Sequence, residues 1–136
     1  MQRGKRLSRG LSGEVRGMGV FKVEASVWRV GEYDKRIRGE LTVDAEATYT
    51  VIPEGALRDL GVEPIRAAKL RLADGRVVER PLGEVGVEIE EWRASATLVL
   101  FGPGDISLLG SVTMEQLGLA PDPIAKRLKP VEAYLL

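Results

Sequence analysis

The chain has no histidine and no cysteine. That excludes a serine or cysteine triad built on a histidine base, the common zinc sites and disulfide stapling. Asparagine is absent as well, and Gln2 and Gln116 are the sole side-chain amides. Arg and Glu abound in their place, a composition found in heat-adapted proteins, so a thermophilic source is the expectation. No apolar run approaches the length of a membrane span, and no signal-peptide-like apolar stretch follows the Arg-rich start. A cytoplasmic location without a membrane partner is expected. Net charge is lacking too, because 20 basic and 20 acidic side chains cancel. No global field therefore draws the chain to nucleic acid, which is not an expected partner. Any catalysis is left to carboxylates, and no cofactor is expected.

A chain of 136 residues fits one domain with a core of its own. Residues 1–19 are rich in Arg, Lys, Gly and Ser and read as a flexible basic tail; residues 20–136 read as the folded domain. Phe21, Val23, Ala25 and Val27 alternate as in a half-buried strand, and Ile37, Leu41 and Val43 mark a second. Pro53 at a first helical position, Ala56, Leu57 and Leu60 on one face, and Gly61 as a stop predict a short helix. Strands are predicted over 65–72, 77–82, 85–89 and 94–101, punctuated by Asp74-Gly75, Pro81-Leu82-Gly83 and Glu90-Glu91. The Asp-Gly pair between two alternating runs is a β-hairpin signal. A second short helix is predicted at Thr113–Leu119, with Thr113 and Gln116 as a capping box. Both helices follow an apolar strand and end in Leu-Gly-apolar, an internal echo. The fold class is mainly β.

The segment Leu41-Thr42-Val43-Asp44-Ala45-Glu46-Ala47-Thr48-Tyr49-Thr50-Val51-Ile52-Pro53 places a carboxylate in an apolar, strand-like run. Burial disfavours an ionised carboxylate, so Asp44 needs donors, a cleft or a second acid with which to share a proton. Asp44, Ala47 and Thr50-Val51-Ile52 resemble the active-site loop of the retropepsin-like (clan AA) aspartic proteases, whose pattern is apolar-apolar-Asp-(Thr/Ser)-Gly-Ala. Leu108-Leu109-Gly110 resembles the apolar-apolar-Gly motif of the strand behind that loop. The hairpin at Leu72, Ala73, Asp74, Gly75 and Arg76 falls where that family has its flap. The likeness spans roughly residues 36–131.

The resemblance implies a closed or partly open β-barrel with a flap hairpin and one or two short helices, working as a homodimer. One Asp44 per chain then meets its copy across a twofold axis, and the dyad hydrolyses a peptide or protein substrate. Ala45 and Glu46 depart from the family's hydroxyl residue and glycine. Ala45 has no hydroxyl to tie the two loops together, and Glu46 adds bulk and charge. Three readings follow: an active dimeric aspartic peptidase; a catalytically silent relative that binds extended peptides or dimerises; and a hard-cation site built from Asp44 and Glu46 of both chains. In the family, chain termini help build the dimer interface. Val131–Leu136, apolar to its end, is accordingly expected either to form an intersubunit strand or to pack on its own domain. Trp28 and Trp92 are expected in the core or an interface, and Thr48 and Thr50 as strand residues at the edge of the core. Asp34, Asp59, Asp74, Asp105 and Asp122 are assigned to turns or polar helix faces.

Overall fold

The computed structural model describes residues 21–136, so the basic tail assigned to residues 1–19 lies outside the described residues. Strand β1 (Lys22–Arg29) leads through a 3-10 turn (Tyr33–Lys35) into β2 (Ile37–Val43). Then follow β3 (Thr50–Pro53), α1 (Glu54–Leu60), β4 (Arg66–Arg71), β5 (Val77–Ile89), β6 (Trp92–Gly102) and β7 (Leu108–Leu109). The chain ends with α2 (Ser111–Leu117), β8 (Leu119–Asp122) and β9 (Arg127–Pro130). The fold is mainly β, as expected. Seven strands form one sheet in the order β1-β2-β7-β3-β6-β5-β4, and a further β1–β5 pairing closes the first six into a ring. β8 and β9 form a separate hairpin. No described helix is long and apolar enough to cross a membrane.

The inside of the ring is filled by alternate residues of its strands, including Val27, Leu41, Ile52, Val87, Val99 and Leu109, with Leu57 of α1 and Leu117 of α2. Both helices stop at a left-handed glycine, Gly61 (φ 81°) and Gly118 (φ 73°), which a residue with a Cβ adopts at a cost. The echo between β3-α1 and β7-α2 is thus one of geometry as well as sequence. Trp28 is buried and Trp92 packs against the core, so both tryptophans are structural.

Four expectations are corrected. Pro53 is the N-cap of α1, still extended (ψ 137°) and paired with Gly102, so the helix starts one residue later. Pro81-Leu82-Gly83 does not interrupt a strand, since β5 runs through it. Pairing with β6 starts at Leu82, so Pro81 has β4 alone as a neighbour and forfeits no bond to β6. Thr113 and Gln116 form no capping box. The N-cap of α2 is Gly110, Thr113 lies inside the helix, and the Gln116 amide donates to the Ala96 carbonyl. The end of Val131–Leu136 does not pack on its own domain: Val131 N–H donates to the Gly118 carbonyl (2.9 Å), but Tyr134, Leu135 and Leu136 are 96%, 98% and 114% exposed.

A polar cluster fastens the β1–β2 connection to β5. The Tyr33 hydroxyl donates to the Glu88 carboxylate at 2.7 Å. The Arg36 and Arg93 guanidiniums lie 4.1 and 3.9 Å from the Tyr33 ring centroid, and Trp28 meets the ring edge-on at 4.7 Å. The Tyr33 hydrogen bond foremost, with Arg93 and Arg36, holds the Glu88 carboxyl below its usual pKa. A carboxyl with a lowered pKa in the folded state stabilises it fully above the unfolded pKa, near 4.5. That contribution is lost as pH falls through the folded value. Tyr33→Phe keeps the ring and removes the donor. It is expected to cost about 1 kcal/mol at pH 7 and less at pH 3, below the unfolded pKa. Thermal melts of both proteins at the two pH values check this; an equal deficit at both would sink the assignment.

Candidate functional site

Asp44 follows the last residue of β2, and its backbone continues that strand's parallel ladder with β7. The Thr42 N–H donates to the Ser107 carbonyl (3.0 Å), and the Asp44 N–H to the Leu109 carbonyl (3.0 Å). Side chains two apart on a strand share a face, so Asp44 lies on the face of Thr42, opposite the core residues Leu41 and Val43. Along that outer face one transverse row crosses the sheet through successive paired residues. It runs from Arg66 on β4 to Leu82, Leu100, Val51 and Leu108, and ends at Thr42. Ala68, Leu82 and Leu100 form a second apolar cluster there, with Tyr49, Val51, Leu70 and Leu98 packed on it. An apolar floor therefore extends from the stem of the β4–β5 hairpin toward the Asp44 strand.

The loop from Asp44 to Tyr49 is fixed by its backbone. The Asp44 carboxylate accepts the Glu46 N–H (3.0 Å), and the Asp44 carbonyl accepts the Ala47 N–H (3.1 Å), closing a tight turn. The Ala47 and Thr48 carbonyls accept the N–H groups of Ser111 (2.8 Å) and Val112 (3.0 Å). Those amides, in the first turn of α2, have no intrahelical acceptor, so the loop serves as that helix's cap in place of a side chain. Asp44 is half-buried, whereas Ala45, Glu46 and Thr48 are exposed and Ala47 is intermediate.

Leu108-Leu109-Gly110 meets this loop directly. Leu108 pairs with both Thr42 and Val51, and Leu109 is buried in the core. A Cβ on Gly110 would lie 2.5 Å from the Tyr49 carbonyl carbon, so glycine is required by the close approach of two backbones. The two segments singled out in the sequence, more than 50 residues apart, are thus one structural unit. The hairpin forms where expected, with its turn closed by Leu72 N–H to the Arg76 carbonyl (2.8 Å), Gly75 at φ 90°, and the Asp74 carboxylate accepting from Arg76. That hydrogen bonding with Arg76 lowers the Asp74 pKa. Leu72 is intermediate and Ala73–Arg76 are exposed; Leu70, in the stem, joins the hairpin to the apolar floor.

Thr48 lies in the loop rather than in a strand. Thr50 is fully buried: its hydroxyl accepts the Gly110 N–H (3.0 Å) and donates to Thr113 (2.7 Å), which shares a 2.9 Å bond with Thr97. Sequence reasoning missed both this network and the outer apolar cluster. The cluster had a signal: Leu98-Val99-Leu100-Phe101 and Val51-Ile52 are apolar on consecutive positions, the mark of strands covered on both faces. Among the described residues no group of three or more His, Cys, Asp or Glu is placed to hold a metal ion. No protein-family model matches the chain, and none of the curated proteins matches it either.

Proposed function

We propose that the protein is a retropepsin-like aspartic endopeptidase that works as a homodimer, with Asp44 contributed by each chain. The supporting observation is the position of Asp44. It directly follows a core strand, on a loop pinned to the β7-α2 junction, on the face where an apolar floor leads to the β4–β5 hairpin. In the dimer two copies of Asp44 share one proton, because adjacent carboxylates cannot both ionise cheaply. The ionised carboxylate takes a proton from water as the water oxygen attacks the peptide carbonyl carbon, and the protonated partner donates its proton to the carbonyl oxygen. Transfer of a proton to the amide nitrogen then accompanies cleavage of the C–N bond. The hairpin closes over an extended substrate whose apolar side chains rest on the partly exposed Val51, Leu70, Leu98 and Leu108, above the buried Leu82 and Leu100.

One chain supplies only half of such a dyad, so the partner is a second copy. The fully exposed Tyr134, Leu135 and Leu136 support an intersubunit role for the C-terminus, since an isolated chain leaves this apolar segment in water. Removal of Val131–Leu136 is expected to convert the dimer to a monomer in sedimentation and to abolish cleavage of a mixed peptide library between acidic and neutral pH. A full-length monomer that still cleaves would sink the dimeric mechanism. The exposed methyl of Ala45 and carboxylate of Glu46 favour a second reading, in which the same face binds extended peptides without cutting them.

A further inference from the structure

We infer that Thr113 is a positioning residue for Asp44: with Thr50 and Thr97 it forms a buried hydroxyl clasp that holds the Asp44 loop from within one chain. The inference rests on the peptidase reading for its catalytic consequence, but not for its geometry. Thr50, Thr97 and Thr113 are 1%, 2% and 0% exposed and come from β3, β6 and α2. A buried hydroxyl costs free energy unless it is bonded, and valine would fill the same space without that cost. Connection is not a by-product of burial either. Among the described residues the other two buried hydroxyls, Thr42 and Ser107, have no partner, whereas these three form one chain.

The chain acts where the loop is held. A helical threonine can bond back to a carbonyl three or four residues earlier. For Thr113 the residue four back is Leu109, whose carbonyl is the acceptor of the Asp44 N–H. By engaging Thr50 and Thr97 across the interior instead, the Thr113 hydroxyl ties the start of α2, beside that carbonyl, to β3 and β6. Thr50 in turn receives the Gly110 N–H, fixing the junction against which the loop is packed. Carboxylate placement then depends on three hydroxyls that never touch substrate.

The test is amide hydrogen exchange by NMR on the full chain, comparing wild type, Thr113→Val and Thr113→Ser. Thr113→Val is expected to speed exchange at Asp44 and Gly110 by about tenfold or more, the effect of leaving buried hydrogen-bonding groups unpaired. Amides of Val27 and Val87, on the β1–β5 side of the ring, should stay within about twofold. Thr113→Ser, which restores the hydroxyl, should restore protection. On peptide substrates Thr113→Val should lower kcat with KM unchanged, and serine should recover it. Unchanged exchange at Asp44 and Gly110, equal acceleration at all four amides, or failure of serine to restore protection would each overturn the clasp. Should the wild type cleave nothing, the exchange comparison still decides the clasp and the peptidase reading fails separately. Should Thr113→Val not fold, Thr97→Val removes the far end of the chain and is read the same way.

Discussion

Asp44→Asn is expected to remove peptide cleavage by roughly 10⁴-fold or more while leaving the fold in place. Asparagine has the shape of aspartate and keeps a side-chain oxygen that can accept the Glu46 N–H, so the turn at the end of β2 survives. What it lacks is a carboxylate that can take a proton from water. In the proposed dimer the dyad would be built from two copies of one residue, so a single substitution removes both members. Asp44 is only half-buried and its amide bond to Leu109 is backbone, so the stability change should stay within about 0.5 kcal/mol. The measurement is kcat/KM on a peptide cut by the wild type, followed from acidic to neutral pH. Residual cleavage at the wild-type rate would assign the activity elsewhere. The companion substitution is Ala45→Thr with Glu46→Gly, both on exposed side chains that the loop can exchange without repacking. Cleavage appearing only in that double variant would make the natural chain a silenced peptide-binding relative.

The local parts of this fold were legible because they depend on near neighbours in the chain. Alternation placed β1 and β2, Asp74-Gly75 placed the hairpin turn, and Leu60-Gly61 and Leu117-Gly118 marked two helix ends through the conformation that glycine alone adopts cheaply. The association of the Asp44 loop with Leu108-Leu109-Gly110 came from resemblance, since no local rule connects residues so distant. The parallel register of Thr42 with Leu108 and the closure of β1 on β5 are tertiary facts that periodicity cannot express. Misreadings arose where one residue type serves two ends. Thr113 followed by Gln116 has the spacing of a capping box, but the loop's carbonyls had already satisfied the first amides of α2, freeing the Thr113 hydroxyl for the interior. Pro81-Leu82-Gly83 has the composition of a turn, yet the strand passes through it while changing partners.

Gly110→Ala should show how tightly the candidate site depends on that unit. The φ and ψ of Gly110, −97° and 174°, suit any residue, so the substitution carries no conformational penalty of its own. Its cost is collision. The added methyl would lie 2.5, 2.6 and 2.8 Å from the Tyr49 carbon, the Tyr49 oxygen and the Thr50 nitrogen, all backbone atoms with no rotamer to escape into. Relief requires β3 and the β7-α2 junction to separate. That strains the bonds from Gly110 to Thr50, Ser111 to Ala47 and Val112 to Thr48 together. Overpacking and weakened hydrogen bonds add to about 3–4 kcal/mol, a large share of the stability of an ordinary domain. At this chain length the melting temperature should fall by about 10–15 °C. Gly86→Ala supplies the comparison, because its methyl would lie 2.1 Å from Cε2 of the buried Trp28, away from Asp44. Both variants should melt early, but only Gly110→Ala should lose cleavage per folded molecule at temperatures below its transition. Equal activity in the two folded variants would detach the Asp44 loop from the strand crossing that is argued to hold it, and a melting temperature unchanged by Gly110→Ala would deny the crossing itself.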